Sequence, residues 1–192
     1  MNVAEAVHRK RAIRRFDDRP LADDDLAAIL EAGRRAHSAK NRQRWAFIVV
    51  RDRGRLAQLA ALGPWCGHVA GAAAAVALVT PDPRLPGAPL SITWDLGGAA
   101  AQMMLVAWER GVGSCPATVY EAERARELLG YPADLHCEFM LSLGYPADSD
   151  ALTRPNREGG RRPAADLVHL ERWAPLPDGD GAADTRGDSA VS

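Results

Sequence analysis

Three clusters of side chains in this sequence have the chemistry to hold a small charged molecule. The first is Arg11-Ala12-Ile13-Arg14-Arg15-Phe16. Arg11 and Arg14 are three apart, so on a helical turn they share a face and can grip one phosphate from two sides. A solvated basic helix end is the plainer alternative. A nucleic-acid arm is a third, but Asp17, Asp18 and Asp23 to Asp25 follow at once and cancel its field. The second cluster is Ser38-Ala39-Lys40-Asn41-Arg42-Gln43-Arg44-Trp45. Asn and Gln side chains each offer a donor and an acceptor, which suits the edge of a planar heterocycle, although an ordinary polar turn has the same composition. The third comprises Arg157, Arg161 and Arg162 around Gly159-Gly160, again suited to an anion.

Several chemistries lack their residues. No GxSxG elbow or P-loop occurs, and no pair of carboxylates is placed for acid–base hydrolysis. Gly111-Val112-Gly113-Ser114 begins like a dinucleotide fingerprint, but Pro116 stands where the third glycine belongs and a helix precedes it. Its glycines do allow backbone groups to approach a flat ligand closely. The histidines show no HxxH or HxxxH spacing, and Cys66-Gly67-His68 has no further Cys or His near it in the chain, so no metal site is expected. Cys66, Cys115 and Cys137 lie far apart and form no CxxC pair, a pattern that fits a reducing cytoplasm.

These clusters need a scaffold, and 192 residues with 47% apolar and 26% charged side chains supply one domain, with a tail. A net charge of −1 removes the attraction that non-specific nucleic-acid binders use. The longest apolar run, Val69 to Val79, is about half of what a bilayer needs, and the charges of HRKRAIRR forestall a signal peptide. Neither nucleic acid nor membrane is therefore expected as a partner.

Periodicity and punctuation outline the elements. Val3–Arg11 reads as a short helix, and a second runs through Leu26, Ile29, Leu30 and Gly33 with Asp23 and Asp24 capping its start. Ala46–Val50 reads as a strand, Arg55–Leu62 as a helix, Ala72–Val79 as a buried strand, and Thr80–Pro89, with four prolines, as a loop. Thr93–Arg110 is the longest helix candidate, apolar almost all round, as in the middle of a domain or along a subunit interface. Glu121–Leu129 is a helix, and Leu135–Leu143 alternates like a half-buried strand. The last fifteen or so residues have no core-forming content and are expected to be disordered.

In this order, RAIRRF, SAKNRQRW, DLGGAAAQMMLVAWERGVGSC, LLGYP, FMLSLGYP and GRRPAADLVHLERW resemble the nitroreductase family of FMN-dependent oxidoreductases. The resemblance covers about residues 5 to 173 and implies an α+β sandwich, with a central mostly antiparallel sheet flanked by helices. It places residues 1–174 in one FMN-binding domain and 175–192 in a tail. It further implies a homodimer with FMN at the interface, NADH or NADPH as electron donor, and a small-molecule acceptor such as a nitroaromatic or quinone. Flavin N5 does the chemistry in ping-pong fashion, so no side chain is needed as a catalytic group. The resemblance leaves open a dehalogenase, a biosynthetic dehydrogenase or a non-catalytic flavin-binding module on the same fold.

The resemblance also implies site residues. Arg11 and Arg14, joined by Arg161 or Arg162, look like phosphate ligands, with Ala12 where the family usually has serine. Ser38, Ala39, Asn41 and Gln43 look like contacts to the partner's flavin, and Gly111, Val112 and Gly113 like backbone neighbours of the ring. The family's helical insertion over the flavin is replaced here by Pro81 to Ser91, which implies a wider active site roofed by that proline loop and the partner chain.

Overall fold

Four strands pair antiparallel in the order β1-β2-β4-β3: β1 (Ala46–Val50), β2 (Ala74–Pro81), β3 (Gly113–Thr118) and β4 (Leu135–Gly144). The computed structural model describes residues 3–155 and 161–173. The chain divides into two compact units, Met1–Pro155, which holds the sheet, and Asn156–Ser192. The expected tail, 175–192, lies outside the described residues.

Helices cover both faces of the sheet. On one side α3 (Arg53–Leu59) and α5 (Ala122–Leu129) frame a core in which Leu56, Leu59, Leu62 and Ala125 meet Ala75, Ala77, Val79 and Met140. On the other, α2 (Asp23–Arg34) and α4 (Ser91–Glu109) bring Leu26, Ile29, Leu96, Met103 and Ala107 against Val76, Leu78, Leu141 and Leu143. Each such large aliphatic side chain contributes about 1.5–3 kcal/mol by leaving water. With both faces covered, β2 shows no alternation and is buried through Thr80, as its run of alanine and valine requires. A short helix, α1 (Val3–Arg9), precedes these layers.

The structure departs from the sequence expectations in identifiable ways. β3 was not expected, because Gly113 and Pro116 disfavour strands. As the last strand of the sheet it turns Ser114, and with it Pro116 two residues on, away from β4, so the ladder to β4 needs no donor at Pro116. Strict alternation along Leu135–Leu143 fails at an irregularity: Leu78 pairs Phe139 but Val79 pairs Cys137, so Glu138 is an extra residue. Cys137 thereby joins Met140 in the α3/α5 core, while Leu141 and Leu143 serve the opposite one. Thr80 and Pro81 end β2 rather than opening the loop. Asp23 and Asp24 lie inside the first turn of α2, whose N-cap is Ala22, and side-chain capping occurs instead at α3, where Asp52 accepts from the Arg55 N–H at 2.8 Å.

Candidate functional site

The basic segment near the start is extended. α1 ends at Arg9, Ala12 bridges Ser114 in parallel, and Phe16 bridges Pro146. The Ile13 N–H donates to the Ser114 carbonyl and the Asp17 N–H to the Tyr145 carbonyl, both at 2.9 Å. Because residues 11–16 form no helix and are held by these pairings, the expectation that Arg11 and Arg14 share a helical face does not hold. Arg11 turns its guanidinium to the Arg154 carbonyl. Arg14 is exposed, and its charge reaches His68 and Cys115.

Lys10, which sequence reasoning passed over, lies like Arg14 within electrostatic range of Cys115. Burial raises the Cys115 thiol above its usual range, and the charges of Arg14 and Lys10 both act against that rise. The half-buried Lys10 also points its ammonium at Met104 Sδ of α4, 3.9 Å away. The signal available was a rare lysine in the basic run, in a chain with only one other. A cavity of about 360 Å³ adjoins this segment, lined by Ala12, Ile13, Arg14, Arg15, Ala147, Asp148 and Ala151.

The second cluster forms a tight loop after α2, with a 3-10 turn at Ala39–Asn41. Lys40, Asn41 and Gln43 have φ of 53°, 52° and 47°. For residues with a Cβ this left-handed conformation costs about 1–2 kcal/mol each, and it concentrates at functional sites. Internal hydrogen bonds shape the loop: the Gln43 N–H donates to Ser38 Oγ at 3.0 Å, and Gln43 Nε2 to Asn41 Oδ1 at 2.9 Å. The Ala39 N–H donates to Asp95 Oδ2 of α4 at 3.0 Å, and His37 lies against Gly98 of the same helix. Asn41 and Gln43 are exposed and Ser38 is half-buried, so polar edges face outward from a fixed backbone.

The glycine turn after α4 divides its roles. Gly111 has φ of 72° and nothing within 4 Å of where a Cβ would sit, so its backbone is approachable. Val112 is fully buried. Gly113 opens β3 against Ile13, whose Cβ lies 2.8 Å from the place a Gly113 side chain would start. That glycine therefore serves packing. Arg161 and Arg162 belong to the second unit and are exposed there; Arg162 Nη2 donates to the Asp166 carbonyl at 3.0 Å. Arg157 lies outside the described residues.

A larger cavity, about 490 Å³, opens between the sheet and the first half of α4. Leu78, Leu96, Pro116, Phe139 and Leu141 give it apolar walls, and Pro83 and Arg84 of the proline loop line it as well. Its charged wall is already paired: Arg84 bonds both carboxylate oxygens of Asp82, and His136 lies between Arg84 and Glu138. The Arg84 hydrogen bonds hold the Asp82 carboxyl well below the usual range.

Among the described residues no cluster of His, Cys, Asp and Glu can hold a metal ion, and no helix is long and apolar enough to cross a membrane. Cys66 and His68 instead make separate contacts, to the Thr118 carbonyl at 3.1 Å and to Ser142 Oγ at 2.8 Å.

Known proteins share both sequence and architecture with this chain. A family model described as the nitroreductase family matches residues 7–94 and 67–145. A protein of Archaeoglobus fulgidus named for NADH dehydrogenase and NAD(P)H nitroreductase is 35% identical over 173 residues, covering 87% of this chain and 96% of its own. An NADPH-flavin oxidoreductase of Vibrio harveyi is 27% identical over 192 residues, covering 91% and 76%. The solved structure of an FMN-dependent nitroreductase from Clostridium difficile superposes with a TM-score of 0.76 at 23% identity, covering 89% and 100%. Its likeness extends to the antiparallel sheet and the helical layers described above, and with the family match it leads to one conclusion: the chain belongs to the nitroreductase family.

Proposed function

We propose that this chain is an FMN-dependent oxidoreductase that draws electrons from NADH or NADPH and passes them to a flat acceptor such as a nitroaromatic or quinone. It works as a homodimer with FMN between the two copies. The names of the Vibrio and Clostridium relatives support the cofactor and the donor class.

The residues present fit FMN. A dianionic phosphate calls for cations, and Arg14 is exposed on the non-helical segment that follows α1, with Lys10 at the end of that helix. A planar ring calls for close backbone approach, and the space beside Gly111 is open. The polar ring edge calls for fixed donors and acceptors, which Ser38, Asn41 and Gln43 supply. Ala12 offers no hydroxyl, so this chain relies on charge where a serine would add a hydrogen bond.

The observation that carries the reading is that α4 holds both groups. It anchors the polar loop at Asp95 and meets Lys10 at Met104, nine residues and about 13 Å apart along the axis. The exposed Leu90 and Trp94, at 93% and 73%, leave an apolar surface at the start of α4 for a second copy.

FMN, when bound, supplies the hydride chemistry at its N5. The protein's part is positional and electrostatic. Lys10 and Arg14 would hold the phosphate and offset its charge. The left-handed loop keeps its polar edges aimed without reorganisation during turnover. The apolar walls of the larger cavity, with the proline loop on one side, suit a flat aromatic acceptor.

The test is direct. The purified protein should be yellow, and anaerobic NADH or NADPH should bleach it, with colour returning on addition of a nitroaromatic. Arg14→Ala should weaken FMN binding by about tenfold or more, the worth of a charge-assisted contact. A colourless protein that takes up no added FMN would overturn the reading.

A further inference from the structure

Asp95 sits in the second turn of α4 with 5% of its surface exposed, on a helix face otherwise buried through Ile92, Leu96, Ala99, Met103 and Ala107. A carboxylate so placed loses its hydration and persists only where donors replace the water. Oδ2 accepts from the backbone N–H of Ala39 at 3.0 Å. Ala39 is exposed and opens the 3-10 turn from which Lys40, Asn41 and Gln43 pass into left-handed conformation.

Three such residues so close together are not self-sustaining. The contacts inside the loop (the Asn41 N–H with the Ser38 carbonyl, the Arg42 N–H with the Ala39 carbonyl, Ser38 Oγ with the Gln43 N–H and Gln43 Nε2 with Asn41 Oδ1) join parts that would move together if the loop shifted as a whole. A fixed point outside the loop is required, and Asp95 belongs to α4, whose Leu96, Met103 and Ala107 are built into the core. A carboxylate is the suitable acceptor, because its bond to an N–H is stronger than that of a neutral oxygen.

We propose that Asp95 is a positioning residue for ligand recognition: through the Ala39 N–H it fixes the loop so that Ser38, Asn41 and Gln43 present one pattern of donors and acceptors to a flat heterocycle. This rests on the reading of the loop given under Proposed function. Asp95 itself touches no reacting atom.

Two measurements test it on the full-length protein. Trypsin cleaves after Lys40, Arg42 and Arg44, all within the loop, and peptide mass spectrometry follows those bonds individually. FMN affinity is read by fluorescence quenching on deflavinated protein. Asp95→Ala should accelerate cleavage at the three bonds and weaken FMN binding, each by about tenfold. Asp95→Asn, which retains an acceptor oxygen, should bring both back to within about threefold of wild type. Ala39→Pro removes the donor from the exposed side and leaves the helix untouched, so it should reproduce Asp95→Ala even if the latter folds poorly.

Wild-type cleavage and affinity in Ala39→Pro would overturn the proposal. So would rapid cleavage with unchanged FMN affinity, since the loop would then be anchored to no purpose. If the wild-type protein takes up no FMN at all, the flavin reading fails on its own account, and the cleavage rates alone decide whether Asp95 holds the loop.

Discussion

His68 Nδ1 lies 2.8 Å from Ser142 Oγ, and Ser142 Oγ donates onward to the Cys115 carbonyl at 3.2 Å. The serine proton is thus committed, so the neutral imidazole donates from Nδ1. Its Nε2 is buried and has no hydrogen-bond partner among the described residues. Burial, and then the charge of Arg14, lower the proton affinity of His68, with the Pro116 carbonyl working the other way. The folded state therefore prefers neutral His68, and the unfolded chain binds more protons as pH falls through the ordinary histidine range near 6.5. Stability should decline with that fall. Arg14→Ala should raise the His68 titration midpoint, read from imidazole C–H chemical shifts; an unchanged midpoint would separate the two groups.

Lys10 and Arg11 should behave differently, although sequence alone favours Arg11 as the anion ligand. Lys10→Ala should reduce FMN affinity by about tenfold or more, because the ammonium acts where Arg14 does. Arg11→Ala should change it by less than about threefold, since its guanidinium is turned to the Arg154 carbonyl. Isothermal titration with FMN distinguishes them, and a reversed order would restore Arg11 to the site.

Tyr145 donates to Asp25 Oδ2 at 2.7 Å, and Arg110 approaches Oδ1 at 3.2 Å. The Tyr145 hydrogen bond is the main cause of the lowered Asp25 pKa, with Arg110 assisting and burial opposing. Such a group stabilises the fold above the usual carboxylate range, and the contribution is lost as pH falls through its depressed value. Tyr145→Phe keeps the ring under Arg19, 3.4 Å from the centroid, but removes the donor. It should cost about 1 kcal/mol at neutral pH, with the difference from wild type narrowing in acid. Urea melts at several pH values provide the comparison.

Gly113→Ala should destabilise the protein by about 1–3 kcal/mol, as overpacking of a buried site does. The added methyl would meet Ile13 at its Cβ and Cγ2, both 2.8 Å away, and a β-branched side chain pinned beside its own backbone hydrogen bond has little room to yield. Gly111→Ala would meet no atom but would suffer from its φ of 72°. Thermal melts of both variants separate the clash from the conformational penalty.

Much of the fold was legible from local rules. The apolar spacing of Leu26, Ile29 and Gly33 located α2, the run Ala46–Val50 is β1 as read, and α5 ends at Leu129 as read, with Gly130 left-handed just beyond it. These features depend on neighbours within a few residues, and a sequence displays such neighbours openly. The order of the basic, amide-rich and glycine-containing segments was enough to place the chain near its family.

The tertiary structure decided what depends on distant partners. Pro116 tolerates a strand only because β3 lies at an edge, and the extra residue at Glu138 reassigns Cys137 to the opposite core. The segment after α1 runs without a helix because Ser114 pairs with Ala12 and Pro146 with Phe16, and Arg11 turns to the Arg154 carbonyl. The polar loop's residue types were visible in the chain. Its backbone shape was not, because the hydrogen bond that holds it comes from Asp95, far along the sequence. Side-chain chemistry is carried by each residue itself, whereas direction and register arise only when remote segments satisfy one another's hydrogen bonds and fill one another's space.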